Sequence, residues 1–201
     1  MENSFHIFNN VFLAIVEVDA IKQDIPQKAT EVTRASLKRT TEIEGVKSLM
    51  NKYLPNKTLG YNRNGKPFIQ EGGYISISHS KSLIGLAWSS ELNIGLDIEE
   101  ITQKIEKIEN RFLHPAEKKI AINQKVKTII WCIKESMVKI LDNKSINFKE
   151  NLLVMTGTNA HEWKCVVLDQ IENKNHSIYI FTTLEIKNNI VCIHTKTELN
   201  K

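Results

Sequence analysis

Segments dominated by apolar and β-branched residues predict β-strands in the first half of the chain and again near its end. The first such segment covers residues 11–18. Seven more share this character: residues 74–78, 83–88, 94–99, 152–155, 163–168, 178–184 and 190–194. Asparagine and glycine residues at 60–67, 173–175 and 188–189 predict turns between strands.

Composition, a proline and the spacing of apolar residues together predict four helices. Residues 28–53 have helical composition, and Pro115 is placed to open a short helix. Apolar residues recur at helical intervals in two further segments: Ile101, Ile105, Ile108 and Phe112, then Val126, Ile129, Ile130, Ile133, Met137, Ile140 and Leu141. The order of elements predicts an α+β protein of two similar halves, residues 1–92 and 93–201.

Composition narrows the class of protein only slightly. The 201 residues are 41% hydrophobic and 25% charged with a net charge of +4, which are ordinary globular values. Cys132, Cys165 and Cys192 are widely spaced, which disfavours a disulfide framework or thiolate zinc site and favours a reducing compartment. No apolar run would span a bilayer and no secretory pattern is visible, so we expect a soluble cytoplasmic protein. Basic residues are not interleaved with aromatics, which argues against a nucleic-acid partner.

Two acidic side chains alternate along the strand predicted at residues 94–99. Asp97 and Glu99 are two positions apart, so a strand points both to one face. Hard carboxylate oxygens at this distance suit Mg²⁺, which also accepts phosphate oxygens and waters. The alternative is an ordinary strand with a polar outer face.

The last predicted helix carries a second polar set. Trp131, Glu135 and Lys139 follow one another by four residues and therefore share a face, roughly opposite the apolar stripe. An exposed Glu135–Lys139 ion pair is one interpretation. The large aromatic ring of Trp131 on the same face favours partial cover instead.

Three further motifs contain residues that suit chemistry, and each has a simpler interpretation. Glu117 follows Pro115 at a helix opening, where it could be a base or a capping residue. Ser78 and His79 at a strand end could contact phosphate or form a turn. Lys66 follows a Gly in a turn that lacks the rest of a phosphate loop.

The order and spacing of five motifs resemble one family. GKP, ISISHS, IGLDIEE, RFLHPAE and WCIKESMVK, read from residue 65 to residue 139, are similar to the 4'-phosphopantetheinyl transferase superfamily, in particular its larger, surfactin-synthetase-activating type. The marked resemblance runs from about Arg39 to Lys139. It implies a pseudo-dimer of two α+β halves that binds coenzyme A in the cleft between them and works as a monomer.

The resemblance also implies roles for individual residues. Asp97, Glu99 and Glu135 would bind Mg²⁺, or Mn²⁺ with the same oxygen ligands. Glu117, or a metal-bound water, would be the base, and Lys139 would support the leaving phosphate. Coenzyme A contacts would come from seven residues: Arg39, Lys47, Lys66, Ser78, His79, Lys134 and Lys139. Lys47 stands where the family often has arginine, and lysine lacks the bidentate fork of arginine.

The implied activity moves the 4'-phosphopantetheine arm of coenzyme A to a serine of an apo acyl or peptidyl carrier protein and releases 3',5'-ADP, as in holo-acyl-carrier-protein synthase. Two alternatives stay open from the sequence. One is a non-catalytic protein of the same fold that binds coenzyme A or a carrier protein. The other is a magnesium-dependent phosphoesterase that uses the same carboxylates.

Overall fold

Two antiparallel sheets, each with its own helices, form most of the protein. The computed structural model describes residues 4–24, 34–168 and 176–199. The chain divides into two compact units, Met1–Asn93 and Ile94–Lys201. Helices and strands are both abundant, so the predicted α+β class is confirmed. Internal duplication stays a prediction.

The first unit has a four-stranded sheet in the order β1-β2-β6-β5 and a separate hairpin of β3 and β4. Its core lies between the sheet and two helices and includes Ala14, Val16, Leu49 and Leu86. The elements are β1 Ser4–Phe8, β2 Val11–Glu17, α1 Val18–Asp24, α2 Arg34–Tyr53, β3 Leu59–Tyr61, β4 Pro67–Ile69, β5 Tyr74–His79 and β6 Leu83–Ser89.

The second unit has a five-stranded sheet in the order β7-β11-β10-β9-β8, with α4 packed on β7 and β11. Ile130, Ile133 and Met137 of α4 are fully buried against this sheet. The elements are β7 Leu96–Glu100, α3 Lys104–Phe112, a 3-10 helix Pro115–Lys119, α4 Gln124–Leu141, α5 Phe148–Asn151, β8 Leu152–Thr156, β9 Glu162–Val167, β10 Ser177–Ile186 and β11 Asn189–Leu199.

The eight strands predicted from the sequence are confirmed. Two helices, one strand and one hairpin were not predicted. Residues 28–33 of the long predicted helix and the predicted turn at 173–175 lie outside the described residues. The missed elements are β1, α1, the β3–β4 hairpin and α5. They are short, and α1 also follows a strand directly, with no turn residue between the two. The helical or strand spacing of apolar residues therefore cannot be recognised in them.

No helix among the described residues is long and apolar enough to cross a bilayer.

Gly95 lets α4 approach the start of β7 closely. A Cβ atom at this position would lie 2.2 Å from the carbonyl oxygen of Ser136 in α4. The carbonyl oxygen of Gly95 accepts a hydrogen bond of 3.0 Å from the backbone N–H of His194 in β11, which fixes the strand in place. The absence of a side chain at Gly95 therefore sets the spacing between β7 and α4, the two elements that carry the acidic residues.

Gly95→Ala is expected to lower the free energy of unfolding by about 1–3 kcal/mol, because the added methyl group meets backbone rather than a movable side chain. Gly45→Ala is the matched control, since its Cβ would meet only the end of the Ile84 side chain at 2.4 Å and alanine favours helix α2. Urea denaturation measures both variants. An equal loss of unfolding free energy in Gly95→Ala and Gly45→Ala would contradict the role given to Gly95.

Candidate active site

Asp97 and Glu99 of β7 both face α4. The Lys139 ammonium lies 3.0 Å from Asp97 Oδ1, and the indole N–H of Trp131 donates to Glu99 Oε1 at 3.1 Å. Glu135 lies one turn from both Trp131 and Lys139 on the same helix. Strand and helix therefore bring the three carboxylates and one lysine to a common face, as the two periodicities predict.

Burial and the charge of Asp97 raise the pKa values of Glu99 and Glu135. Burial, followed by the charge of Asp97, raises the pKa of Glu135 to about 7, against the opposing effect of Lys139. Burial and then Asp97 also raise the pKa of Glu99, and the Trp131 hydrogen bond opposes that rise. The face therefore concentrates more negative charge than Lys139 balances, which is the electrostatic condition for binding a cation.

Lys139 is held by the strand as well as by the acidic group. Its ammonium donates to the carbonyl oxygen of Leu96 at 2.7 Å and to Asp97 Oδ1 at 3.0 Å. The side chain is still 32% exposed. The simple Glu135–Lys139 pair considered from the sequence is thus replaced by a contact across the two elements, which leaves the lysine accessible to an anion.

The chemistry of this donor set fits a magnesium ion. Among the described residues, no group of three or more histidine, cysteine or acidic side chains has the arrangement of a metal centre. Magnesium usually takes one or two protein carboxylates and completes its shell with waters and substrate phosphates, so a preformed three-carboxylate cage is not required. Asp97, Glu99 and Glu135 supply hard oxygen ligands of the correct kind.

A cavity of about 590 Å³ has Trp131, whose indole N–H donates to Glu99, in its wall. The Trp131 ring packs edge-on against Phe112 and at a tilt against Phe148, each at 5.3 Å between centroids. The lining is mainly apolar: Ile108, Arg111, Phe112, Trp131, Ser145, Ile146, Asn147 and Phe148. Sequence reasoning missed this cavity, because α5 and its preceding loop are too short to show a period.

Glu117 and Lys134 are inside the protein. Both side chains are 0% exposed, and the Lys134 ammonium lies 2.8 Å from Glu117 Oε2. Glu117 also accepts backbone N–H groups of His114 and Val154, at 2.8 and 2.7 Å. The structure therefore does not support Glu117 as the base or Lys134 as a coenzyme A contact. It supports the capping interpretation of Glu117, with the capping box complete at the Pro115 turn.

The residues predicted in the first unit are dispersed. Arg39 is exposed on α2, and Lys47 lies 2.7 Å from Glu44. Ser78 is buried, His79 Nδ1 lies 3.3 Å from Glu42 Oε1, and Lys66 is half-buried at the hairpin.

A cavity of about 410 Å³ in the first unit collects a different set of basic residues. It is lined by Val18, Lys22, Leu37, Lys38, Thr41, Glu42, Ser80 and Lys81. Three lysines, one carboxylate and two hydroxyl groups suit an anionic ligand. Lys81 directly follows the ISISHS motif, which is the one sequence signal that indicated this place.

The described part of the chain is an α+β protein in which three carboxylates and one lysine share a face between β7 and α4. Residues 93–186 match the family model of the 4'-phosphopantetheinyl transferase superfamily. The matched segment contains Asp97, Glu99, Glu135 and Lys139, and it supports a transferase. Comparison of the chain with curated proteins gave no match.

Glu135→Gln is expected to stabilise the metal-free protein at pH 8 by on the order of 1–3 kcal/mol and to have little effect at pH 5. The folded-state pKa of Glu135 is raised to about 7 from 4.5, so its ionisation costs stability as pH rises through that window. Denaturation in EDTA at both pH values measures the difference. Glu150→Gln, at an exposed glutamate of α5, is the control. A pH-independent effect of Glu135→Gln would contradict the charge crowding.

Proposed function

We propose that this protein transfers the 4'-phosphopantetheine arm of coenzyme A to a serine of an apo carrier protein. The observation that carries the proposal is the convergence of Asp97, Glu99, Glu135 and Lys139 on one face between β7 and α4. This face lies inside the segment that matches the superfamily. A plain surface ion pair would not need three carboxylates, and burial together with the charge of Asp97 raises the pKa values of two of them, Glu99 and Glu135.

Asp97, Glu99 and Glu135 are the residues that would hold a magnesium ion in this proposal. Bound there, Mg²⁺ would neutralise charge on the pyrophosphate oxygens of coenzyme A. The Trp131 hydrogen bond fixes Glu99, and the Lys139 contact fixes Asp97, so two of the carboxylates are already oriented. Such preorganisation lowers the cost of assembling the site when substrate binds.

The reaction exchanges the phosphoanhydride bond of coenzyme A for a phosphate ester bond to the serine. The serine oxygen of the carrier protein forms a bond to the β-phosphorus of coenzyme A, and the bond from that phosphorus to the bridging oxygen breaks. The electron pair leaves with 3',5'-ADP, and the serine proton passes to a base. Lys139 supports the departing phosphate, because its ammonium is partly exposed beside Asp97. No side chain is assigned as the base, since Glu117 is buried and fully hydrogen-bonded.

The cavity beside Trp131 is proposed to take the pantetheine arm. That arm is uncharged and combines apolar groups with amides, which matches an apolar lining with a few polar side chains. Trp131 belongs both to the wall of this cavity and to the acidic face, through its hydrogen bond to Glu99. The arm would therefore lie next to the phosphate that is transferred.

The first unit would contribute an anion site. The cavity with Lys22, Lys38 and Lys81 is proposed to bind a phosphate group of coenzyme A. Arg39, Lys47, Lys66, Ser78 and His79 stay predictions from the motif resemblance. His79 has a link to this cavity through Glu42, which it contacts at 3.3 Å and which lines the cavity.

The finer identity is also proposed. The larger, surfactin-synthetase-activating type would explain why the acidic motifs lie in the second unit of the chain, after a first α+β unit in the sequence. With it come the remaining expectations: a duplicated fold, a monomer, a cytoplasmic location and an acyl or peptidyl carrier protein as acceptor. A protein that binds coenzyme A without turnover is the alternative, and a transfer assay separates the two.

Wild-type protein incubated with Mg²⁺, coenzyme A and an apo carrier protein is expected to add the arm to the carrier, and Asp97→Asn to lose at least about 100-fold in rate. Charge stabilisation of this kind contributes about 10²–10³ in enzymes that have lost one such group. Mass spectrometry of the carrier measures the transfer.

Glu100→Gln is the matched control for Asp97→Asn, because Glu100 is on the same strand and outside the proposed ligand set. Binding of coenzyme A by the wild type without any mass gain on several carriers would support the non-catalytic alternative. Full activity of Asp97→Asn would contradict the proposed site.

Lys38→Ala is expected to weaken coenzyme A binding by about 10-fold, which corresponds to the loss of one charge-assisted hydrogen bond. Calorimetry measures the change. Lys52→Ala, on the same helix and outside the cavity, is the control. Lys47→Ala tests the contact implied by the family resemblance, and a larger effect there than in Lys38→Ala would overturn the assignment of the cavity.

A further inference from the structure

Lys134 and Glu117 form a hydrogen-bonded unit that uses all three hydrogens of the ammonium group. The Lys134 ammonium donates to Glu117 Oε2 at 2.8 Å, to the carbonyl oxygen of Phe112 at 2.7 Å and to that of Phe148 at 2.9 Å. Glu117 accepts from Val154 with its other oxygen. The pair therefore joins α3, the 3-10 helix, α4, α5 and β8 at one buried point.

The two carbonyl groups that Lys134 binds belong to the two aromatic residues that hold Trp131. The Phe112 and Phe148 rings lie 5.3 Å from the Trp131 ring, one edge-on and the other tilted. Lys134 thus fixes the backbone on both sides of the indole. The same indole donates its N–H to Glu99 Oε1 at 3.1 Å. A continuous set of contacts leads from the buried ion pair to a carboxylate of the acidic face.

We infer that Glu117 and Lys134 are positioning residues: they fix Phe112 and Phe148, which orient Trp131, which in turn orients Glu99. The effect on Trp131 follows from the packing alone. The effect on magnesium dependence rests on the proposed function. A neutralised pair with every hydrogen bond satisfied has no charge to offer a substrate, so neither residue acts on the reacting atoms.

Three variants test this inference. Glu117→Gln/Lys134→Met removes both charges, so it leaves no unpaired charge in the core. Phe148→Leu removes the ring contact with Trp131 but keeps the carbonyl group that Lys134 binds. Lys127→Met is the matched control, because Lys127 is on the same helix and its ion pairs, with Glu109 at 2.7 Å and Glu106 at 3.8 Å, include none of these residues.

The first measurement is the indole N–H resonance of Trp131 in a nitrogen–proton NMR spectrum, assigned with Trp131→Phe. We expect it to move in the double variant and in Phe148→Leu and to stay in Lys127→Met, with Trp88 of the first unit unchanged in all three. This measurement requires no activity, so it decides the inference even where the transfer assay fails.

The second measurement is the Mg²⁺ concentration that gives half-maximal transfer, together with the KM for coenzyme A and the pH profile. Residues that orient metal ligands typically contribute about 10–100-fold, so we expect that concentration to rise about 10-fold in the double variant and in Phe148→Leu. The shape of the pH profile is expected to be unchanged, which distinguishes positioning from the loss of a base. The KM for coenzyme A is expected to rise in Phe148→Leu, because Phe148 lines the cavity proposed for the pantetheine arm.

Three results would overturn the inference. The first is an unmoved Trp131 resonance in Phe148→Leu, which is expected to fold because the ring is only partly buried. The second is a wild-type Mg²⁺ requirement in an active double variant. The third is loss of one limb of the pH profile in the double variant, which would return Glu117 to the role of base. Absence of transfer in the wild type with a moved resonance would contradict the proposed function and leave the positioning role supported.

Discussion

The buried Lys134–Glu117 ion pair is the interaction on which the second unit depends. Five elements meet there, and three of them, α3, the 3-10 helix and α5, are too short to be stable by helix propensity alone. Loss of one partner from such a pair typically costs about 3–5 kcal/mol, because the other charge is left buried and uncompensated. The short elements are therefore held by hydrogen bonds to α4, and the cavity wall that they form depends on the same contacts.

The acidic face reduces the stability that this packing provides. Asp97 is buried and Glu99 and Glu135 are partly buried, and the raised pKa values of the two glutamates mean that their ionised forms are destabilised in the folded state. Lys139 balances part of this charge through its contact with Asp97. A rigid frame is what allows like charges to stay together, since a looser one would relax by moving them apart. The packing held by the Lys134–Glu117 pair therefore permits the crowding of the three carboxylates.

Most of the acidic site follows from the sequence, because it depends on two regular periods. Asp97 and Glu99 alternate on a strand, and Trp131, Glu135 and Lys139 repeat on a helix, so the shared faces can be read directly. The contact of Lys139 with Asp97, in place of Glu135, depends on the spacing between β7 and α4, which Gly95 sets through packing across the fold. The cavities were missed because loops and four-residue helices have no regular spacing of apolar residues that could be recognised in the sequence. The interior location of Glu117 was also missed, because a capping glutamate and a base have the same sequence pattern.

The neighbouring positions 134 and 135 show how one helix contributes both to the buried ion pair and to the acidic face. Successive residues of an α-helix point about 100° apart, so Glu135 can face the solvent-accessible side while Lys134 points into the core. The Trp-x-x-Lys-Glu spacing then acquires a physical reason. Trp131 and Glu135 share the acidic face, and Lys134, one turn beyond Trp131 and rotated toward the interior, binds the backbone on both sides of the Trp131 ring. The lysine therefore belongs to the motif because it fixes the surroundings of the tryptophan, and the tryptophan belongs to it because it fixes Glu99.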